Sequence, residues 1–336
     1  MQSIRVIQIG IGHDHAMPVL RSLTELPAQF ELLGLAVPDG EAQRYGGRLR
    51  ECAALGVRVL SVQEALALPG VQAAVVETEE AALTETALLC ARQGLHVHMD
   101  KPGGMNLAAF GELTQTLRRQ GLVFSTGYMY RHNPLVQEAF RKVKQGELGE
   151  VYCVEAHMDC EHTPEKRQWL SGLPGGMMFF LGCHLVDLIY RLQGEPEEVL
   201  PMHMSTGFDG VTAEDYGMTV FRYSHGVSFA KTCANECGGF YRRQLVICGT
   251  RGTLELKPLE VLTDRPDWLY TEMRQTPQGE SWGYAGQQTR SALFHRYAGM
   301  LEQFARMAAG EAENPYSYDY EYRLYRLLLR ACGKTE

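Results

Sequence analysis

The chain has 336 residues, enough for two domains that each bury a core, and at 45% hydrophobic and 21% charged it has the balance of an ordinary soluble protein. A formal net charge of −8 without a cluster of Lys and Arg argues against nucleic acid as a partner. The first apolar run is too short for a membrane span and follows no charged leader, and nine cysteines without C-x-x-C pairing suit a reducing compartment. The expectation is a cytoplasmic protein with no membrane partner.

The run from Ile4 to Ile9 reads as a buried strand ending on Gly10 and Gly12, followed by a helix over Asp14 to Leu26 that tolerates Pro18 only in its first turn. Backbone N–H groups at such a helix start favour an anion, so a pyrophosphate is the expected guest, although His15 takes the place of the third small residue of G-x-G-x-x-G. A second strand, Phe30 to Val37, ends where a dinucleotide fold carries a ribose-binding acid. Here that position is Val37, and Asp39, two residues on, reaches the ribose only if the loop bends back.

The pattern continues with a helix over Gln43 to Leu55, a strand near Val57 to Leu60, a helix over Val62 to Leu68, a strand over Val71 to Glu77, a helix over Glu80 to Gln93 and a strand over Leu95 to Met99. A helix over Asn106 to Gln120 and a strand over Leu122 to Thr126 complete a six-stranded, doubly wound parallel Rossmann sheet in a first domain, 1–127. Asp100-Lys101-Pro102 stands at the carboxyl end of one of these strands, the edge where open α/β sheets bind ligands.

The second domain, 128–336, is predicted as α/β. Asn133 caps a helix starting at Pro134, and strand Val151 to Met158 follows. The segment from Gly175 continues as an apolar helix to Leu192, with Phe180, His184 and Asp187 on one face. Short alternating runs at Tyr216 to Tyr223, Gly226 to Thr232, Arg242 to Cys248 and Thr253 to Leu256 predict a mainly antiparallel sheet, followed by closing helices Phe294 to Ala309 and Asp319 to Cys332. His13-Asp14-His15, His96-Val97-His98 and His157-Met158-Asp159 place metal-ligand types two residues apart. No cysteine-histidine signature accompanies them, and no metal is expected.

Six landmarks in order resemble the Gfo/Idh/MocA family of NAD(P)-dependent sugar and polyol oxidoreductases: Gly10-x-Gly12; Asp100-Lys101-Pro102, similar to the family's Glu-Lys-Pro; Gly127-Tyr128-Met129-Tyr130-Arg131 with Pro134; Gly146-x-x-Gly149; Gly175-Gly176 leading to Gly182-x-His184-x-x-Asp187; and Gly249-Thr250-x-Gly252. The resemblance implies an NAD(P)-dependent dehydrogenase or reductase acting on CH-OH groups of a sugar, polyol or related hydroxylated molecule, assembled as a homo-oligomer through its open sheet. Lys101 and His184 would be catalytic. Gly10, Gly12, His13, His15, Asp39, Thr78, Glu79 and Lys101 would bind the cofactor, and Arg131, His157 and Asp187 the substrate.

The departures from the family pattern are His15 for the third glycine, Val37 for the ribose acid, Glu79 where a proline usually follows Thr78, Leu83 where many members have histidine, and Phe180 where active members often have aspartate. A carboxylate at Glu79 favours NAD over NADP. Together these changes keep open the alternative of a catalytically impaired ligand-binding or regulatory protein on the same fold.

Overall fold

A computed structural model describes residues 3–279 and 286–334; the outermost residues of the two predicted domains lie outside that range. The chain forms two compact units, Met1–Met129 with Tyr297–Tyr325, and Tyr130–Arg296 with Arg326–Glu336. Among the described residues no helix is long and apolar enough to cross a membrane.

The first unit is built on a six-stranded parallel sheet of β1 (Ile4–Ile9), β2 (Phe30–Ala36), β3 (Val59–Leu60), β4 (Ala73–Val76), β5 (His96–Met99) and β6 (Phe124–Thr126), in the order β3-β2-β1-β4-β5-β6. Every residue of β4 is buried, as a strand covered by helices on both faces requires. The strand order reverses between β1 and β4, and such a switch point opens a crevice at the carboxyl ends of the strands.

The helices are shorter than their apolar periodicity suggested. The first, α1 (Ala16–Glu25), starts two residues later than expected and holds Pro18 in its first turn. The predicted helix over 43–55 is two pieces, α2 (Glu41–Arg44) and α3 (Gly46–Ala54), broken at Tyr45 before a pair of glycines. Next come α4 (Val62–Leu66) and α5 (Leu83–Arg92), the latter preceded by a tight turn over Glu80–Ala82. Asn106 caps α6 (Leu107–Gln120), accepting from the Ala109 N–H at 3.1 Å, and Gly121 ends it at φ 65°.

In the second unit α7 (Pro134–Lys144) begins as expected: the Asn133 side chain accepts from the N–H groups of Leu135 and Val136. The large sheet comprises β7 (Val151–His157), β8 (Glu198–Met204), β9 (Tyr216–Tyr223), β10 (Gly226–Cys233), β11 (Gln244–Gly249), β12 (Gly252–Leu256), β15 (Glu272–Pro277) and β16 (Gln287–Arg290). Every neighbouring pair is antiparallel except β7 with β10. A small sheet joins β13 (Val261–Leu262), β14 (Trp268–Tyr270) and β17 (Phe294–His295). The start of the predicted helix over 294–309 is therefore a strand, because Phe294 and His295 pair with Leu269 and Trp268; α10 is only Ala298–Ala308. Strands β8, β13, β14, β15 and β16 lie outside the predicted runs; β8 and β16 carry no alternation with one face buried, and β16 is exposed throughout.

After α8 (Pro164–Trp169), the segment expected as one apolar helix opens with a wide π turn over Met178–Gly182, and only then becomes α9 (Cys183–Gln193). Such an inserted residue is a recurring feature of functional sites. The last helix, α11, spans Tyr318–Ala331. On the large sheet Leu200, Met202 and Met204 alternate along β8 and are exposed, as are Tyr152 on β7 and Val227 on β10.

The glycine at the end of β1 is required by both conformation and space. Gly10 has φ +98°, and a Cβ there would lie 2.5 Å from the backbone nitrogen of Thr78. Gly10→Ala is expected to destabilise the protein by at least about 2 kcal/mol in urea unfolding. A loss below about 0.5 kcal/mol, the scale of a neutral surface change, would show that β1 and the chain after β4 can separate freely.

Candidate active site

The glycine turn is closed from the inside. Glu41 at the start of α2 sends its carboxylate back to the turn, with Oε2 accepting from the Ile11 N–H at 2.7 Å and Oε1 from the Glu79 N–H at 3.2 Å. Arg48 of α3 donates to the carbonyls of Ile11, Gly12 and His13 at 2.6, 3.0 and 2.8 Å. The His13 N–H bonds the Glu77 carbonyl, and the His15 N–H reaches the Nδ1 of His13. The row of open amides expected for a pyrophosphate is thus largely satisfied within the chain. Burial pushes the Glu41 carboxyl up, and the backbone donors it accepts from oppose that shift.

Farther along the same edge, Val37, Pro38, Asp39, Ser61, Gln63 and Leu89 line a cavity of about 660 Å³, formed where β2 and β3 end. Its apolar and polar lining and its place at the carboxyl edge suit an adenosine, so the residues present fit that end of a dinucleotide. Thr78 is fully buried. Glu79 accepts from the Tyr45 hydroxyl at 2.6 Å and pairs with Arg44; burial works against its charge, but these two donors outweigh it and hold the carboxyl below the usual range.

Behind the turn lies a dense polar cluster. Asp100 Oδ2 stands 3.0 Å from His15 Nδ1 and 3.3 Å from His13 Nδ1, and Glu77 Oε2 lies 3.7 Å from His13 Nδ1. Burial works against the Asp100 charge, yet the two imidazoles hold its carboxyl well below the ordinary value, whereas burial and the adjoining Asp100 carboxylate drive Glu77 well above its own. Burial lowers His15 to about 4 against the pull of Asp100. Gly127, at the end of β6, permits this arrangement, since a Cβ there would lie 2.5 Å from Asp100 Oδ1. Lys101 follows Asp100 with only 2% of its surface exposed.

In the second unit His184 sits one residue into α9, buried, its ring edge-on to Tyr130 with centroids 4.9 Å apart. The Tyr130 hydroxyl donates to Glu260 at 2.5 Å; burial first, and the Glu260 charge second, push its pKa up to about 12. Phe180, in the wide turn, has a different environment: the rings of Trp169 and His162 lie 5.5 and 6.1 Å away, and the Lys166 ammonium is 4.6 Å above its face.

Arg131 and Asp187 meet each other, with Nε and Nη2 of the guanidinium 3.0 and 2.7 Å from Oδ1 in a buried fork. His157, on β7, packs against Phe229, and burial with the neighbouring Lys231 and Arg242 charges lowers its pKa to about 4. Sequence reasoning had overlooked Glu41, Glu77, Glu80 and Tyr130. The available signal was Glu77-Thr78-Glu79-Glu80, three carboxylates closing a wholly apolar strand.

Two measurements check these environments. Asp187→Ala removes the carboxylate that forks onto a buried guanidinium and is expected to cost about 3–5 kcal/mol, most of it recovered in Arg131→Met/Asp187→Leu. In an NMR titration the His157 ring is expected to change protonation near pH 4; a midpoint near the unperturbed 6.5 would mean that water reaches it freely.

Comparison with known proteins places this geometry in context. Residues 4–128 match the oxidoreductase family with an NAD-binding Rossmann fold, and residues 136–255 match the GFO/IDH/MocA C-terminal domain. The trans-1,2-dihydrobenzene-1,2-diol dehydrogenase of Mus musculus is 24% identical over 266 residues, 77% of this chain and 75% of that protein. The 1,5-anhydro-D-fructose reductase of Ensifer adhaerens is 27% identical over 232 residues, 68% of each. The solved structure of levoglucosan dehydrogenase, in complex with NADH and levoglucosan, shares the fold with a TM-score of 0.78 at 15% identity, covering 99% of this chain and 98% of that one. With its two halves matched in the same order, the chain belongs to the Gfo/Idh/MocA family of oxidoreductases.

Proposed function

We propose that the chain moves a hydride between a nicotinamide dinucleotide, NAD in preference to NADP, and a carbinol carbon of a sugar, polyol or related hydroxylated small molecule. Lys101 carries this reading. A lysine side chain is rarely buried without a task, and this one stands at the carboxyl end of a parallel strand beside the switch point, in a chain of this family.

Bound nicotinamide supplies the acceptor or donor of the hydride. The chain's own residues handle the proton: a carbinol carbon gives up hydride only as its hydroxyl is deprotonated. The Lys101 charge eases that loss, and a ring nitrogen of His184 receives the proton. Arg131 and Asp187, paired with each other, brace α9 and so orient His184 toward the substrate. His157 offers a neutral ring to a substrate hydroxyl. The aromatic pair Trp169 and Phe180 suits the apolar face of a ring, in keeping with relatives that act on a cyclic diol and an anhydrosugar.

Gly10, Gly12, His13 and His15 form the turn against which the dinucleotide would run, with Asp39 and Thr78 along its path. Glu79 supplies a carboxylate for ribose hydroxyls that repels a 2′-phosphate, which favours NAD. The exposed row on β8, with Tyr152 and Val227, is the face through which copies of the chain would associate.

A second reading, a ligand-binding protein without turnover, draws support from Glu41 filling the glycine turn and from Phe180 at the position where active members of the family often have aspartate. Fluorescence titration with NADH and NADPH, followed by a turnover assay on polyols, sugars and cyclic diols, separates the two. The expected result is tighter NADH binding and turnover that falls about 10²- to 10⁴-fold in Lys101→Met and His184→Ala, with NADH affinity retained in His184→Ala. NADH binding without turnover on any panel member, or no binding of either nucleotide, would remove the first reading and leave the second; a measured turnover that is lost in Lys101→Met would remove the second.

A further inference from the structure

The switch point of the first sheet gathers more metal-ligating groups than hydride transfer uses. His13 and His15 come from the turn after β1, Glu77 and Glu80 from the chain after β4, and Asp100 from the end of β5. One donor atom from each of His13, His15 and Asp100 falls within a 4.8 Å set. A cation bound about 2.1 Å from nitrogen and oxygen donors requires them to stand about 3.0–3.4 Å apart. Two of the three separations already match, 3.0 Å from Asp100 Oδ2 to His15 Nδ1 and 3.3 Å to His13 Nδ1, and the two imidazoles, within 4.8 Å of each other, close on the ion when it binds.

Glu77 supplies the independent observation. Its side chain is fully buried beside the Asp100 carboxyl, no N–H group meets either of its oxygens, and Oε2 points at the cluster 3.7 Å from His13 Nδ1. A buried carboxylate left in that state costs several kcal/mol unless a charge or proton meets it. Glu80 completes the pattern from behind. Its Oε1 lies 3.8 Å from His13 Nε2, itself without a hydrogen-bond partner, where a carboxylate would orient a ligating imidazole.

We propose that His13, His15 and Asp100, with Glu77 as fourth ligand and Glu80 positioning His13, bind one divalent first-row transition-metal ion. Two imidazoles and two carboxylates suit zinc, cobalt, nickel or manganese over calcium. The Nδ1 lone pair of His13, now facing the His15 N–H at 3.1 Å, turns to the ion when it binds. This site goes beyond the hydride-transfer reading and does not depend on it, because its readout is bound metal.

The test uses untagged protein freed of metal with EDTA and then titrated with Co²⁺ and Zn²⁺, followed by visible absorption, equilibrium dialysis with elemental analysis, and melting temperature. The expected result is one equivalent per chain, cobalt d–d bands without a thiolate charge-transfer band, and a rise in melting temperature with Zn²⁺. Affinity should fall at least about tenfold in Asp100→Asn and in His15→Gln, and the Zn²⁺-induced rise should disappear. The near-isosteric Glu77→Gln provides a further variant should either of those fail to give the circular dichroism of the folded chain. Failure to bind either ion, which leaves the two carboxyls sharing a proton, would overturn the proposal. So would a thiolate band placing the ion on cysteines, or an affinity unchanged in the folded variants.

Discussion

The close approach of two backbones at the carboxyl ends of β1 and β4 is the constraint on which the site rests. Gly10 and Gly12 carry no side chain, so the turn after β1 lies directly against the Glu77–Glu79 backbone; a Cβ at Gly12 would stand 2.7 Å from the Glu79 nitrogen. That contact brings His13 beside Glu77 and lets Glu41 reach amides from both segments. Asp100 joins because Gly127, one strand farther, is also bare. Three glycines thus let residues from four strand ends share one crevice, an arrangement in which each side chain is held by its neighbours and not by a loop of its own.

Much of the architecture could be read from the chain because its determinants are local. The apolar runs of β1, β4 and β5, the helices between them and the caps at Asn106 and Asn133 each depend on residues within one element. What escaped depends on distant partners. Strand β16 is exposed and carries no apolar alternation, and the pairing of Phe294 and His295 with β14 overrode a helical pattern. The π turn before His184 has no signature beyond an apolar run that suits a helix equally well.

The candidate site divides the same way. Lys101 and His184 stand out because charged or titratable groups follow apolar segments in a family order. The state of the glycine turn was invisible, since it depends on Glu41, 29 positions beyond Gly12, folding back from a helix of four residues. Likewise, two histidines spaced two apart mean little alone. Their significance lies in Asp100, 85 positions beyond His15, and in Glu77, neither of which spacing along the chain can reveal.

Glu41 carries a consequence for the protein between catalytic cycles. An amide row that waits for a phosphate is ordinarily bare when the nucleotide departs, and water or local unfolding must then satisfy it. Here a carboxylate already belongs to the turn, with an arginine seated on the opposite carbonyls, so departure of the nucleotide leaves a shape that persists unaided. A scaffold of this kind trades some grip on its coenzyme for endurance while empty, and whatever heat tolerance the coenzyme adds comes from its own binding free energy and not from ordering the turn.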